Sequence, residues 1–494
     1  MIDSIARTIY GQLQGVPGEG VCVWRGIPFA APPAFERRFA PPAAPEAWDG
    51  VRPADAFGPV SHQPVSSNGI RFAGTTPVYS EDCLYLNVWS PAEEGEKLPV
   101  MVWIHGGTFL TGAGSQPMFE GSELARNGRV VVVTINYRLG PLGFMHLAPF
   151  GEGLASNLGL LDQIAALRWV QDNIAAFGGD PAQVTLFGES AGSMSIAALL
   201  AMPAAKGLFA RAILQSGAAQ CLPPEPAAAI AEAFLAELGL AAGGDLSPLR
   251  RLPVEEILQA AARMAYKLSG NALTMLFQPV LEPATLPEHP AAAIAAGAAA
   301  GIPLLIGTNR HEGHLFFREG QSAGDFAQGL KSLELMLGTG DLSGLADGYP
   351  HNWEGQAELL TDLMFWGSSV QLAERQLAHA PVWMYRYDWT IPGHPLLGMA
   401  VHGAEIYYVF NTIALLHQYG VALTPEMERV AGLMQKTWTA FAHSGNPAVP
   451  EAEWPPYSLK ERATQIIDVD VRVENDPDRA KRERILNVLN KQEA

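Results

Sequence analysis

Apolar residues run together without polar alternation at 84–89, 100–104 and 130–135. Runs of strand length that are apolar on both faces predict central strands of a sheet covered on each side. Between 157 and 177 the spacing changes, with Leu160, Leu161, Ile164, Leu167, Trp169 and Ile174 recurring at helical intervals before Gly178-Gly179. Strand 184–187, an apolar helix from 194 to 202 and strand 211–214 follow at once. Strands alternating with helices predict a mostly parallel sheet with helices on both faces.

The flanks read differently. Residues 2–23 alternate polar and apolar positions with Gly11, Gly15 and Gly18 between them, which predicts small strands or hairpins. The proline-rich stretch 28–64 reads as loop, anchored by Phe29, Phe39 and Trp48. Alanine-rich segments at 226–244 and 291–300 read as helices, either a lid over a site or plain surface scaffold. Strands are expected at 303–307 and 382–387, an amphipathic helix at 425–443 and a charged helical tail at 476–494. With neither an internal repeat nor a long linker, residues 1–494 read as one large domain with insertions.

The candidate chemistry begins at Gly188-Glu189-Ser190-Ala191-Gly192, which lies between strand 184–187 and the following helix. A serine on so tight a turn needs small neighbours and projects its hydroxyl from the end of a sheet towards a helix N-terminus. Serine is a weak nucleophile at neutral pH and requires a base, an acid to orient that base and donors for the oxyanion. Both partners are expected downstream of the serine. His402, flanked by Gly403, is the leading base, with His289, His311, His314, His351, His379, His394, His417 and His443 as competitors. Glu312, just past strand 303–307, is the leading acid, with Asp362, Asp388 and Glu405 as alternatives. His105-Gly106-Gly107-Thr108 follows a core strand and suits a loop whose backbone amides bind an oxyanion. The His311-Glu312-Gly313-His314 spacing does not match the H-E-x-x-H pattern of a metal site.

Composition narrows the partners. The 494 residues are 48% hydrophobic and 17% charged, with a formal charge of −18 that argues against nucleic acid or an anionic membrane. The start of the chain does not read as a signal peptide, and no apolar run reaches the roughly 20 residues of a membrane span. Cys22, Cys83 and Cys221 have unrelated spacings, so a reduced, cytoplasmic setting is expected.

These motifs together resemble the type-B carboxylesterase family of α/β-hydrolases. The resemblance runs nearly end to end and includes Arg25-Gly26-Ile27-Pro28-Phe29-Ala30, Glu81-Asp82-Cys83-Leu84-Tyr85-Leu86-Asn87-Val88, Asn136-Tyr137-Arg138-Leu139-Gly140, Gln215-Ser216-Gly217 and Trp454-Pro455-Pro456-Tyr457. Phe177-Gly178-Gly179, followed after four residues by Val184 and continuing to Gly192, is similar to the family's serine signature. The resemblance implies an α/β-hydrolase: a central, mostly parallel sheet flanked by helices, a small N-terminal β element and helical insertions forming a lid. It implies Ser190 as nucleophile, Glu312 as acid and His402 as base, with the amides of Gly107, Thr108 and Ala191 as oxyanion hole. Glu189 and Ser216 would support them from behind. No cofactor or metal is implied.

Two positions depart from the family pattern. Thr108 stands where a small residue is common, and Ser61 lies where secreted members place the disulfide partner of Cys83, so that bridge is expected to be absent. The expected reaction is hydrolysis of a small carboxylic ester, short- to medium-chain or aryl, through an acyl-enzyme. An amidase, a lipase or a carbamate hydrolase would use the same triad, and a non-catalytic binding member would have lost part of it. The physiological ester and the oligomeric state, monomer or small homo-oligomer, stay open.

Overall fold

The computed structural model describes residues 2–64, 77–270, 274–319, 326–337 and 342–490. Its centre is an eleven-stranded sheet. Starting from one edge the strands are Arg472–Asn475, Ala463–Ile467, Val382–Tyr387, Leu304–Asn309, Arg211–Gln215, Gly179–Glu189, Leu98–Ile104, Val131–Ile135, Tyr85–Ser90, Cys22–Pro28 and Val16–Pro17. Those from Ala463–Ile467 to Val131–Ile135 pair in parallel, and the pairs outside them are antiparallel. A separate small sheet joins Ile5–Arg7, Gln12–Gln14 and Val51–Pro53.

Register explains why the central runs lack alternation. Along Leu98–Ile104, Val100, Val102 and Ile104 enter one core, while Met101 and Trp103 enter the other. Both faces are covered, so every position of that strand is buried. On the second face Trp103 meets Phe187 at 4.8 Å and Phe410 at 5.1 Å between ring centroids. The helix Ala191–Ala201 is buried along its whole length, which accounts for its alanines and serines. Helix Pro425–Ser444 begins with Thr424 accepting from the Met427 amide and Pro425 in its first turn, and it stops at Gly445 with φ +77°.

Three expectations change in detail. The strand before the serine extends over Gly179–Glu189, because its first residues pair with Leu98. The late strands Ala463–Ile467 and Arg472–Asn475 are additions, and the tail helix is confined to Arg479–Leu489; residues 491–494 lie outside the described chain. The alanine-rich segments form helices Pro224–Glu237 and Pro290–Ala295, which pack on helices Val254–Ser269 and Ala191–Ala201 respectively. They are scaffold, and neither forms a lid over the cavity below. Among the described residues no helix is long and apolar enough to cross a membrane.

Candidate active site

Apart from Glu189, the last residue of its strand, every predicted site residue lies beyond the carboxyl end of a parallel strand, the edge at which open α/β sheets bind ligands. Ser190 follows Gly179–Glu189 and caps helix Ala191–Ala201 with φ 57° and ψ −125°, a conformation disfavoured for a residue with a Cβ. The strain is held from several sides. Its amide donates to Gln215 O at 2.9 Å, and its carbonyl accepts from Met194 N at 2.9 Å. Gly192 lets the helix approach the neighbouring strand, since a Cβ there would lie 1.9 Å from Ile104 O.

Glu312 stands three residues beyond strand Leu304–Asn309. Its Oε1 accepts from the Asn309 amide at 2.6 Å, and its Oε2 lies 2.6 Å from His402 Nδ1. When the imidazole is neutral, an ionised carboxylate there makes Nδ1 the donor and leaves Nε2 as the base. His402 lies on the long connection after Val382–Tyr387 and shares a cavity wall with Ser190. Its Nε2 lies 3.0 Å from Glu189 Oε1 and makes no hydrogen bond to Ser190 in this resting geometry. The rings of Phe365 and Phe316 cover the imidazole at 4.6 Å and 5.3 Å.

Three buried carboxyls thus gather at one imidazole. Burial works against charge on His402, but Glu189 and Glu312 outweigh it and raise the imidazole to about 9. Burial raises Glu189 to about 8, against the pull of His402, with Glu405 and Glu312 adding to the rise. Burial also raises Glu405, which accepts from Asn309 Nδ2 at 2.6 Å and Gln215 Nε2 at 3.1 Å. Glu405 is therefore part of the support, while Glu312 holds the imidazole. The alternatives Asp388 and Asp362 are engaged elsewhere, with Arg386 and with Tyr349 and Lys481.

The loop after Leu98–Ile104 supplies the facing wall. Tyr137 donates to His105 O at 2.7 Å and stacks on the His105 ring at 4.3 Å. Gly107, Thr108 and Phe109 all have positive φ, at 114°, 54° and 58°. Among the described residues, the amides of Gly107, Thr108 and Ala191 donate no hydrogen bond within the protein. Gly107, Thr108 and Ser190 line a common cavity of about 650 Å³. Ser216 is buried with φ 53° beyond strand Arg211–Gln215, and its hydroxyl has no partner among the described residues.

The chain matches the model of the carboxylesterase family over residues 3–335 and 342–485. The chain belongs to the carboxylesterase family. Para-nitrobenzyl esterase of Bacillus subtilis (strain 168) is 47% identical over 486 residues, covering 98% of this chain and 99% of that one. Phenmedipham hydrolase of Pseudarthrobacter oxydans is 36% identical, covering 94% of each chain. Among solved structures, a thermophilic para-nitrobenzyl esterase superposes with a TM-score of 0.93 at 47% identity, over 98% of this chain and 100% of that one. A Geobacillus stearothermophilus carboxylesterase gives 0.84 at 42% identity, over 97% and 99% of the two chains. The α/β-hydrolase fold and carboxylic-ester hydrolase activity follow.

The carboxylesterase cavity has walls that sequence reasoning largely missed. Phe316 lines it and Phe365 packs on His402, whereas Phe109, Phe277, Phe317 and Met364 are buried outside its lining. Met118, Phe119, Leu315, Leu396, Leu397 and Tyr407 are among its apolar lining residues. They come from loops and short helices with no periodic pattern to mark them.

Proposed function

We propose that ester hydrolysis here runs through an acyl-enzyme on Ser190, with His402 as base and Glu312 as its orienting acid. The observation that carries this reading is the 2.6 Å contact between His402 Nδ1 and Glu312 Oε2 at a cavity shared with Ser190. Nε2 takes the serine proton as Oγ attacks the ester carbonyl. The same proton then goes to the leaving alcohol, and water cleaves the acyl-enzyme by the same route. Glu312 stabilises the imidazolium without taking its proton. The amides of Gly107, Thr108 and Ala191 bind the oxyanion, each donor contributing roughly 3 kcal/mol to the barrier reduction.

The substrate is a neutral ester with an apolar or aryl group. No lysine or arginine lines the cavity among the described residues, and Met118, Phe119, Leu396 and Leu397 make parts of its wall apolar. The name of the para-nitrobenzyl esterase relative supports an aryl-bearing ester. We read the chain as one domain, supported by a main sheet that draws strands from Val16 to Asn475. A cytoplasmic home is supported by three buried free cysteines and by Ser61 standing beside Cys83.

Hydrolysis of p-nitrophenyl esters from acetate to palmitate, by wild type and Ser190→Ala, tests the reading. A short-chain optimum, stoichiometric labelling by an organophosphonate and loss of turnover in the variant are expected. Retained turnover in Ser190→Ala would overturn it. Cleavage of anilides at rates comparable to esters would point to an amidase, and activation by emulsified long-chain esters to a lipase.

A further inference from the structure

The Gly107 carbonyl receives four donors. Thr108 Oγ1 donates at 2.8 Å, Thr111 N at 2.9 Å, Leu110 N at 3.0 Å and Thr111 Oγ1 at 3.3 Å. The two amides belong to the local turn and need no particular side chain. The two hydroxyls are a feature of this sequence. Thr108 holds its position at φ 54°, where a β-branched residue is strained, so the loop retains it against a backbone cost.

The peptide joining Gly107 to Thr108 is trans, so its N–H points opposite to its C=O. Gripping the carbonyl oxygen therefore fixes the direction of the Thr108 N–H. That amide has no acceptor among the described residues, and Thr108 lines the cavity beside Ser190. Donation to a carbonyl also polarises its amide, which strengthens the N–H as a donor. A rotation of this peptide would swing the N–H off the developing oxyanion and leave ground-state binding largely untouched.

We propose that the Thr108 and Thr111 hydroxyls are positioning groups that aim and polarise the Thr108 amide for transition-state stabilisation. The proposal rests on the oxyanion-hole reading above. It requires no change of mechanism and adds no group that touches substrate.

The test compares Thr108→Val and Thr111→Val, which keep the branched shape without the hydroxyl, with Thr108→Ser and Thr111→Ser, which keep the hydroxyl. Each valine variant is expected to lower kcat on p-nitrophenyl butyrate about tenfold, with KM changed less than about twofold. Affinity for an aryl trifluoromethyl ketone, whose adduct on a serine carries an oxyanion, is expected to fall in proportion. The serine variants are expected to recover most of the loss in both readouts. Wild-type kcat and ketone affinity in both valine variants would overturn the proposal. So would equal impairment of serine and valine variants, or a loss confined to KM. If Thr108→Val does not fold, the Thr111 pair carries the same comparison. A wild-type enzyme that does not bind the ketone would instead sink the oxyanion-hole reading itself.

Discussion

Glu189 Oε1 lies 3.0 Å from Nε2 of His402, across the imidazole from Glu312. The residue before the serine therefore faces the nitrogen that must accept the serine proton, and its negative charge favours the imidazolium. Removing that charge lowers the His402 pKa and makes the neutral base available at lower pH. Glu189→Gln is expected to shift the acidic limb of the kcat/KM profile downward by about one pH unit. An unmoved limb would show that Glu189 is uncharged throughout the working range.

Glu312→Gln keeps the size of the acid and removes its charge. The amide stabilises imidazolium poorly and can turn its nitrogen toward Nδ1, which favours the wrong tautomer. Acylation measured in a single turnover is expected to slow roughly 10³- to 10⁴-fold, with KM changed little. Glu405→Gln should cost far less, since Glu405 contacts Asn309 and Gln215 rather than the imidazole. Equal losses in the two variants would mean that the buried carboxyls act as one electrostatic unit.

Gly192→Ala tests the elbow itself. The added methyl would lie 1.9 Å from Ile104 O, so the helix or the strand has to move. A destabilisation of about 2 kcal/mol or more is expected in chemical denaturation. A serine displaced by as little as about 1 Å would also lose roughly 100-fold in kcat. A fully active variant of wild-type stability would mean that this close approach relaxes freely.

The sequence made the chemistry more legible than the cavity. Ser190, Glu312, Gly107 and Thr108 each follow a strand recognisable by its apolar run, and position alone puts them at one edge of the sheet. His402 was harder, because it lies far into a connection without periodicity and competed with eight other histidines. Its pairing with Glu312 depends on how that connection folds back. The contact of Glu189 with Nε2 could not be read from adjacency to Ser190, which fixes where the side chain starts and not where it ends. The strands Ala463–Ile467 and Arg472–Asn475 were missed because their short, mixed sequences take strand form only by pairing with their neighbours in the sheet. The cavity walls were illegible for a related reason. Leu396, Leu397 and Tyr407 meet Met118 and Phe119 only after the whole fold has closed.

Buried imidazoles and carboxyls also set how stability responds to pH. Burial lowers His105, His289 and His311 from 6.5 to about 4, with His314 and Arg310 adding to the shift at His311. Between those values the unfolded chain binds protons that the native chain refuses, so these groups make stability rise with pH. Glu189, raised from 4.5 to about 8, opposes that rise together with buried Glu405 and Asp362, while burial lowers His62, His146 and His314 and so adds to it. Above 6.5 the balance reverses. His402, raised to about 9, and Glu189 both bind protons more tightly in the native state, so their contribution falls as pH climbs toward 9. Thermal unfolding is therefore expected to show its highest midpoint near about pH 6.5. Glu189→Gln should flatten the alkaline decline, because it removes one of the two groups that produce it. A midpoint still rising between pH 7 and 9 in the wild type would contradict the assignment of both protons to the native site.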